Sequence, residues 1–135
     1  MLRKDYIQRQ FEQFGKVLAS LLAKKLLNDY DAFEKEMAEA VKQFTDFEIL
    51  ELENISLDAF SQKINSSHLE FDQKKILANL LFEKMTYYQE IGDLEHYKAL
   101  KLKTLFLYQV ITDDLTHNEF DLEAHYRLDR LKKEL

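Results

Sequence analysis

Apolar residues recur along this chain at helical spacing, and the clearest run comes first. Ile7, Phe11, Phe14, Leu18 and Leu21 are separated by four, three, four and three positions, which places them on one seam of a helix predicted over about 5–27. Val17 and Leu22 widen that seam, so the helix is expected to meet more than one neighbour. Gly15 interrupts it at a cost of about 1 kcal/mol relative to alanine, tolerable where another helix approaches closely. Asn28 and Asp29 then break the pattern, because asparagine accepts the left-handed conformation that ends helices and aspartate caps the next one. A second helix follows over about 30–44 with Tyr30, Phe33, Met37, Val41 and Phe44 on one face. So short a turn makes the pair antiparallel.

Residues 45–66 alternate less regularly and predict a helical connector with two short helices, about 46–53 and 57–64, the second capped by Ser56. Phe47, Leu50, Leu57 and Phe60 are expected to cover an open edge of the core. Ser67 and Glu70 have capping-box spacing and predict a long helix over about 68–91, with Ile76, Leu77, Leu80, Leu81, Met85, Tyr88 and Ile91 inward. Gly92 stops it, and Asp93 caps a helix over about 94–111 whose segment KLKTLFLYQVI is apolar almost all round, hence expected to be the most buried element. Thr116 and Glu119 form a second capping box flanked by Leu115 and Phe120. The closing helix, about 117–134, carries a thin stripe of Phe120, Ala124, Leu128 and Leu131, suited to a lid or to another chain.

Offsetting the chain by 64 residues sets Asp29 over Asp93, Leu27 over Ile91, Phe33 over Tyr97, Val41 over Leu105 and Phe44 over Tyr108. Two helical hairpins of similar plan are implied. YYQEIGDLEHYKAL resembles the turn of a tetratricopeptide repeat, whose antiparallel helices meet at a Gly-Asp step, and NDYDAFEKEMAEA resembles it again with Asn28 replacing the glycine. Met37 and Ala40 occupy that family's large and small positions, whereas Met85 and Tyr97 stand where it keeps small residues, and no proline closes the repeat. Over nearly its whole length the chain resembles a family of small bacterial proteins of unknown function. That likeness is carried by an opening of the DYIQRQFEQFGKVLASLLA type, the hairpin LLNDYDAFEKEM, a loosely helical middle and a terminal tetratricopeptide-like hairpin. The resemblance implies a helical, repeat-like fold and a bacterial cytoplasmic setting, and it supplies no activity.

With 135 residues, no proline and two glycines, the chain has one-domain length and lacks the punctuation of a β-rich fold. The predicted architecture is a single all-α domain, 1–135, of stacked antiparallel hairpins: hairpin 5–44, connector 45–66, hairpin 68–111 and closing helix 117–134. A net charge of −6 argues against sequence-independent nucleic-acid binding. Residues 1–25 nevertheless hold six cations against two carboxylates, a net +4 that leaves −10 for the remainder. Such a basic start could touch an anionic membrane, though packing against its own acidic body is the simpler expectation. No cysteine is present, which excludes disulfides, thiolate metal sites and cysteine nucleophiles. The absence of a long apolar run or a cleavable leader points to a cytoplasmic protein.

Candidate chemistry is sparse. His96 lies three residues after Asp93, but on the first turn of a helix that Asp93 already caps, so the turn explains the pair without a site. His117, Asp121 and His125 are the best metal-ligand spacing, yet the outer two stand eight residues apart, about 12 Å along a helix, and one ion could not hold all three. No Glu-x-x-His pair supports a di-iron centre, two isolated glycines cannot form a phosphate-binding loop, and the serines lack a nucleophile elbow. No catalytic, cofactor or metal residue is assigned. Ten phenylalanines and seven tyrosines belong mainly to the core, with Tyr87, Tyr97, Phe106, Tyr108 and Tyr126 as candidates for a partly exposed partner surface. The expected function is therefore a non-catalytic interaction module, binding a peptide, a helix or a second copy of itself in a groove between hairpins. A metal-binding protein or metal-assisted hydrolase using the C-terminal histidines, and a peripheral membrane adaptor using the basic first helix, are the alternatives.

Overall fold

The breaks at Asn28 and Gly92 are both helix-reversing turns, built from the same hydrogen bonds. In the computed structural model, which describes residues 2–114 and 122–133, α1 (Leu2–Leu26) turns into α2 (Tyr30–Thr45) and α5 (Phe71–Glu90) turns into α6 (Leu94–Asp113). Asn28 and Gly92 both have left-handed backbones, with φ of 58° and 79°. The N–H after each reaches back five residues, Asp29 to the Lys24 carbonyl and Asp93 to the Tyr88 carbonyl, each at 2.9 Å. Asp29 and Asp93 then accept from the third residue of the following helix, Ala32 and His96. This Schellman closure followed at once by an aspartate cap satisfies both helix ends within four residues. The 64-residue offset read from the sequence is thus realised bond for bond.

Between the hairpins lie α3 (Ile49–Asn54) and α4 (Leu57–Ser66), and α7 (Leu122–Lys133) closes the chain, giving seven helices and no strand among the described residues. This is an all-α bundle. α5 packs on α6, α2 and α1; α2 also meets α1 and α3; α6 is flanked further by α7 and α4. One core results, built on the expected stripes: Phe14 and Leu21 from α1, Phe33, Met37, Val41 and Phe44 from α2, and Ile76, Leu77, Leu80, Leu81 and Met85 from α5. Ala124, Leu128 and Leu131 bury the stripe of α7 against the same core, so this helix packs on its own chain.

Several expectations are corrected. α5, not α6, is the most buried helix, because it lies between α6 and the long helices α1 and α2 of the first hairpin, whereas the outer side of α6 meets only the shorter α4 and α7 among the described residues; on α6 Leu102 is exposed and Leu105 and Phe106 are half-buried. Ser67 does not cap α5. Its hydroxyl donates to the Ile64 carbonyl at the end of α4, and α5 begins three residues later than expected, with Glu70 as cap and the Gln73 side chain accepting from the Glu70 N–H at 2.9 Å. Ser56 does cap α4, through its bond from the Ala59 N–H. In the connector Phe60 is buried and Phe47 half-buried as expected, but Leu50 and Leu57 face solvent while Ile49, Leu52 and Ile64 fill the core. The capping box of Thr116 and Glu119, with Leu115 and Phe120, lies outside the described residues.

No helix covers Gly15, and a Cβ there would meet nothing within 4 Å. Gly15→Ala is therefore expected to raise the unfolding free energy by about 0.5–1 kcal/mol, the helix-propensity difference. Gly92→Ala, forced into a left-handed backbone, should lower it by about 1–2 kcal/mol. Urea unfolding of both variants checks the opposite signs, and destabilisation by Gly15→Ala would mean that something does pack on that face.

Candidate functional site

Polar side chains converge where α3 meets the second hairpin. Glu53, at the end of α3, accepts a hydrogen bond from the Tyr88 hydroxyl through Oε1, while its Oε2 is buried without a partner. The Lys103 ammonium from α6 donates to the Leu52 and Glu53 carbonyls at 2.9 and 2.8 Å, so a buried cation closes the C-terminus of α3. That is where a positive charge is favoured by unpaired carbonyls and the helix dipole. Burial depresses the Lys103 pKa, and Glu53 opposes that shift. Burial, and then the bond to Glu53, holds the Tyr88 phenol far above its ordinary range.

His96 joins this cluster by stacking on Tyr88, ring centroids 5.1 Å apart, while its Nδ1 pairs with Asp93 Oδ2 at 2.7 Å. The pairing raises the His96 pKa and lowers that of Asp93. His96 is more than half exposed, and the turn explains its position, as the sequence indicates. The linkage has a definite sign. The histidine contribution is fully present below its ordinary 6.5 and lost as pH rises through its higher folded value. The aspartate contribution is present above 3.8 and lost as pH falls through its lower folded value. Wild type should exceed His96→Gln in stability in mildly acidic solution and lose that advantage under alkaline conditions. Thermal unfolding of both across pH checks this, and a difference independent of pH would remove the pair from the account.

Three further polar junctions tie helices together. Lys25 on α1 bonds Glu83 at 3.2 Å and Thr86 at 2.9 Å and lies 3.6 Å from Glu90, all on α5. The Tyr108 hydroxyl donates to Asn79 at 2.7 Å, and Arg127 from α7 donates to both while its guanidinium lies 4.2 Å from the centre of the Phe82 ring. Lys84, also buried, sits over the rings of Tyr87 and Tyr88 and bonds Glu34 at 3.3 Å. Each arrangement orients helices, and none leaves a nucleophile beside a base.

The aromatic partner surface is corrected by these contacts. Tyr108 is buried because its hydroxyl is held by Asn79 and Arg127, and Tyr87 because it packs on Phe33 at 4.8 Å and on Tyr30 at 5.5 Å. Burial and then Glu34 push the Tyr87 pKa up to about 12. Tyr97 and Phe106 are half-buried, and Tyr126 is 66% exposed. Nine residues of α6 separate Tyr97 from Phe106, half a turn out of phase and about 13 Å along the axis, so these residues share no face. Of the metal-ligand candidates, His117 and Asp121 lie outside the described residues, and His125 is half-buried on α7. No three His, Asp or Glu residues among the described ones are grouped to hold a metal ion, and no described helix is long and apolar enough to cross a membrane.

What the surface does present is an apolar end. Lys25 and Glu90 hold the ends of α1 and α5 side by side, so the two hairpin turns share one end of the bundle. There Leu26 is 84% exposed, Leu27 77%, Leu94 57% and Ile91 41%. Exposed carboxylates Asp29, Asp31, Glu90 and Glu95 lie within a few chain positions of them, and Lys24 and Lys25 are engaged by Glu36, Glu83 and Glu90. Sequence reading missed this feature, because periodicity assigns Ile91 to an inner face and ends the first helix at Leu27, and the turn geometry leaves both exposed. Compared with protein-family models, with curated proteins and with solved structures, the chain matches none.

Proposed function

We propose that this protein is a non-catalytic interaction module whose hairpin end docks a basic, amphipathic segment of another protein, with tetratricopeptide-like hairpins as the scaffold. The observation that supports this reading is the set of four exposed aliphatic side chains at the paired turns, with exposed carboxylates at neighbouring chain positions. Exposed aliphatic groups gathered at one end mark contact surfaces more often than scattered ones do. The acidic surround selects the partner by charge: it favours lysine- or arginine-rich helices and opposes both anionic lipid and the same end of a second copy. Lys24 and Lys25, part of the basic stretch that could serve a membrane, are spent on carboxylates of the chain itself.

The double variant Leu26→Glu, Leu27→Glu tests this reading, since both side chains are exposed and the fold should survive. Wild type should retain basic proteins in affinity capture at low salt, the variant should lose those same proteins, and added salt should weaken capture. Identical capture by both forms would overturn the proposal.

A further inference from the structure

A second feature lies at the far end of the first hairpin from its turn. Tyr6, Arg9, Gln10 and Gln13 on α1 and Gln43 and Phe44 on α2 line a groove of about 310 Å³. That is the small end of the range of about 300–1,000 Å³ over which pockets accept small ligands. Tyr6, Gln10 and Gln13 follow one another at i, i+4 and i+7, so they form a stripe beside the buried seam. An amphipathic helix normally fills that shoulder with aliphatic groups as it packs on its neighbour. Here two amides and a phenol occupy it, with Gln43 of α2 across the groove and Phe44 lining it, buried against Phe14 in an edge-to-face contact at 6.0 Å.

The polar groups are uncommitted. The side chains of Gln10, Gln13, Gln43 and Tyr6 make no hydrogen bond within the described structure. Among the described residues Arg9 is the one charged side chain lining the groove. Its Nε reaches the Asp5 carbonyl at 3.4 Å, and its guanidinium has no carboxylate within ion-pair distance among the described residues. Asp5 and Glu12 flank Arg9 one turn before and one turn on; Glu12 accepts from Gln8, and Asp5 meets Arg9 through its backbone carbonyl. A guanidinium fork matches a carboxylate, and an amide side chain, with a donor and an acceptor on one plane, matches a peptide bond. Glutamines from two helices and one arginine lining the same groove can therefore hold a short extended peptide by its backbone and its acid together.

We propose that the groove between the start of α1 and the end of α2 binds a carboxylate-bearing peptide segment, with Arg9 taking the carboxylate and Gln13 and Gln43 pairing with the backbone. The carboxylate could be an acidic side chain or a free C-terminus. The proposal does not depend on the docking end, which carries the opposite charge and lies at the other extremity of the hairpin.

Nuclear magnetic resonance titration of the full chain tests it with three tetrapeptides: one blocked at both ends with an internal glutamate, one with a free C-terminus and no acidic side chain, and one blocked and neutral. At least one acidic peptide should shift the Gln13 and Gln43 side-chain amide signals saturably, and the responding one identifies the source of the carboxylate. Arg9→Gln should weaken that binding about tenfold, and Arg9→Lys should restore only part of it, since an ammonium lacks the fork. Arg9 is exposed, so both variants should keep the wild-type spectrum elsewhere. Equal shifts with the neutral peptide, binding unaltered in Arg9→Gln, or no shift at up to about 20 mM, weaker than any specific site of this kind, would overturn the proposal.

Discussion

Phe33→Ala should lower the unfolding free energy by about 3–5 kcal/mol and the melting temperature by roughly 10–20 °C. Phe33 is fully buried. Its ring packs 4.8 Å from that of Tyr87 on α5, and the Lys25 ammonium of α1 lies 5.9 Å above it. Three helices therefore meet on one side chain. Removing it forfeits apolar burial and an aromatic pair, and also loosens the wall against which Lys25 reaches Glu83 and Thr86. Against a total stability of ordinarily 5–15 kcal/mol, such a loss brings the chain near its unfolding threshold. Urea unfolding measures it, with Tyr126→Ala on an exposed side chain as the control expected near zero. A loss below about 1 kcal/mol at Phe33 would show that the hairpins do not depend on this junction.

The hairpins were legible because their determinants are local. Asn28 and Asp29, like Gly92 and Asp93, satisfy a helix end with bonds that span only a few residues, so a stop followed by a cap can be read without knowing the neighbours. The start of α5 was not, because two overlapping cap spacings compete: Ser67 with Glu70, and Glu70 with Gln73. The second is used, and Gln73 also donates to the Phe44 carbonyl at 3.1 Å, closing the end of α2. That contact spans 29 residues and belongs to tertiary structure. The burial of α6 was overestimated for a related reason. Periodicity shows which face is apolar, but which faces are covered depends on which helices arrive: α5 is backed by the long helices of the first hairpin, and α6 by the shorter α4 and α7.

The buried lysines show the limit differently. Lys84 lies on the stripe of Leu77, Leu80, Leu81 and Tyr88, and Lys103 on that of Leu100 and Leu107, so both occupy core positions by period. A sequence stripe treats such a lysine as an error, yet the aliphatic stem packs like the neighbours and the ammonium needs only one polar destination. Lys84 finds two tyrosine rings and Glu34; Lys103 finds the end of α3. A cation in an otherwise apolar stripe is thus the signal in sequence that a helix terminus or a carboxylate is delivered there from elsewhere. The apolar end and the glutamine-lined groove have no counterpart in periodicity, since both arise where elements stop or leave a shoulder unfilled.

Lys103→Met makes that signal measurable, with an expected loss of about 2–4 kcal/mol. Methionine preserves most of the stem's packing, so the substitution isolates the ammonium. Without it the Leu52 and Glu53 carbonyls lose their donor in a buried setting, at about 1–3 kcal/mol for each group left unsatisfied. Glu53 also loses the nearby cation while one of its oxygens is already buried without a partner. Against this stands the relief from keeping a desolvated ammonium, which holds the net cost below the sum. The damage should be local: hydrogen exchange ought to accelerate in α3, whose hydrogen-bonded tie to α6 is removed, and change little in the middle of α5. Had the lysine merely been tolerated, Lys103→Met would stabilise the protein and leave α3 protected, so the sign of one unfolding measurement separates an anchoring cation from an accidental one.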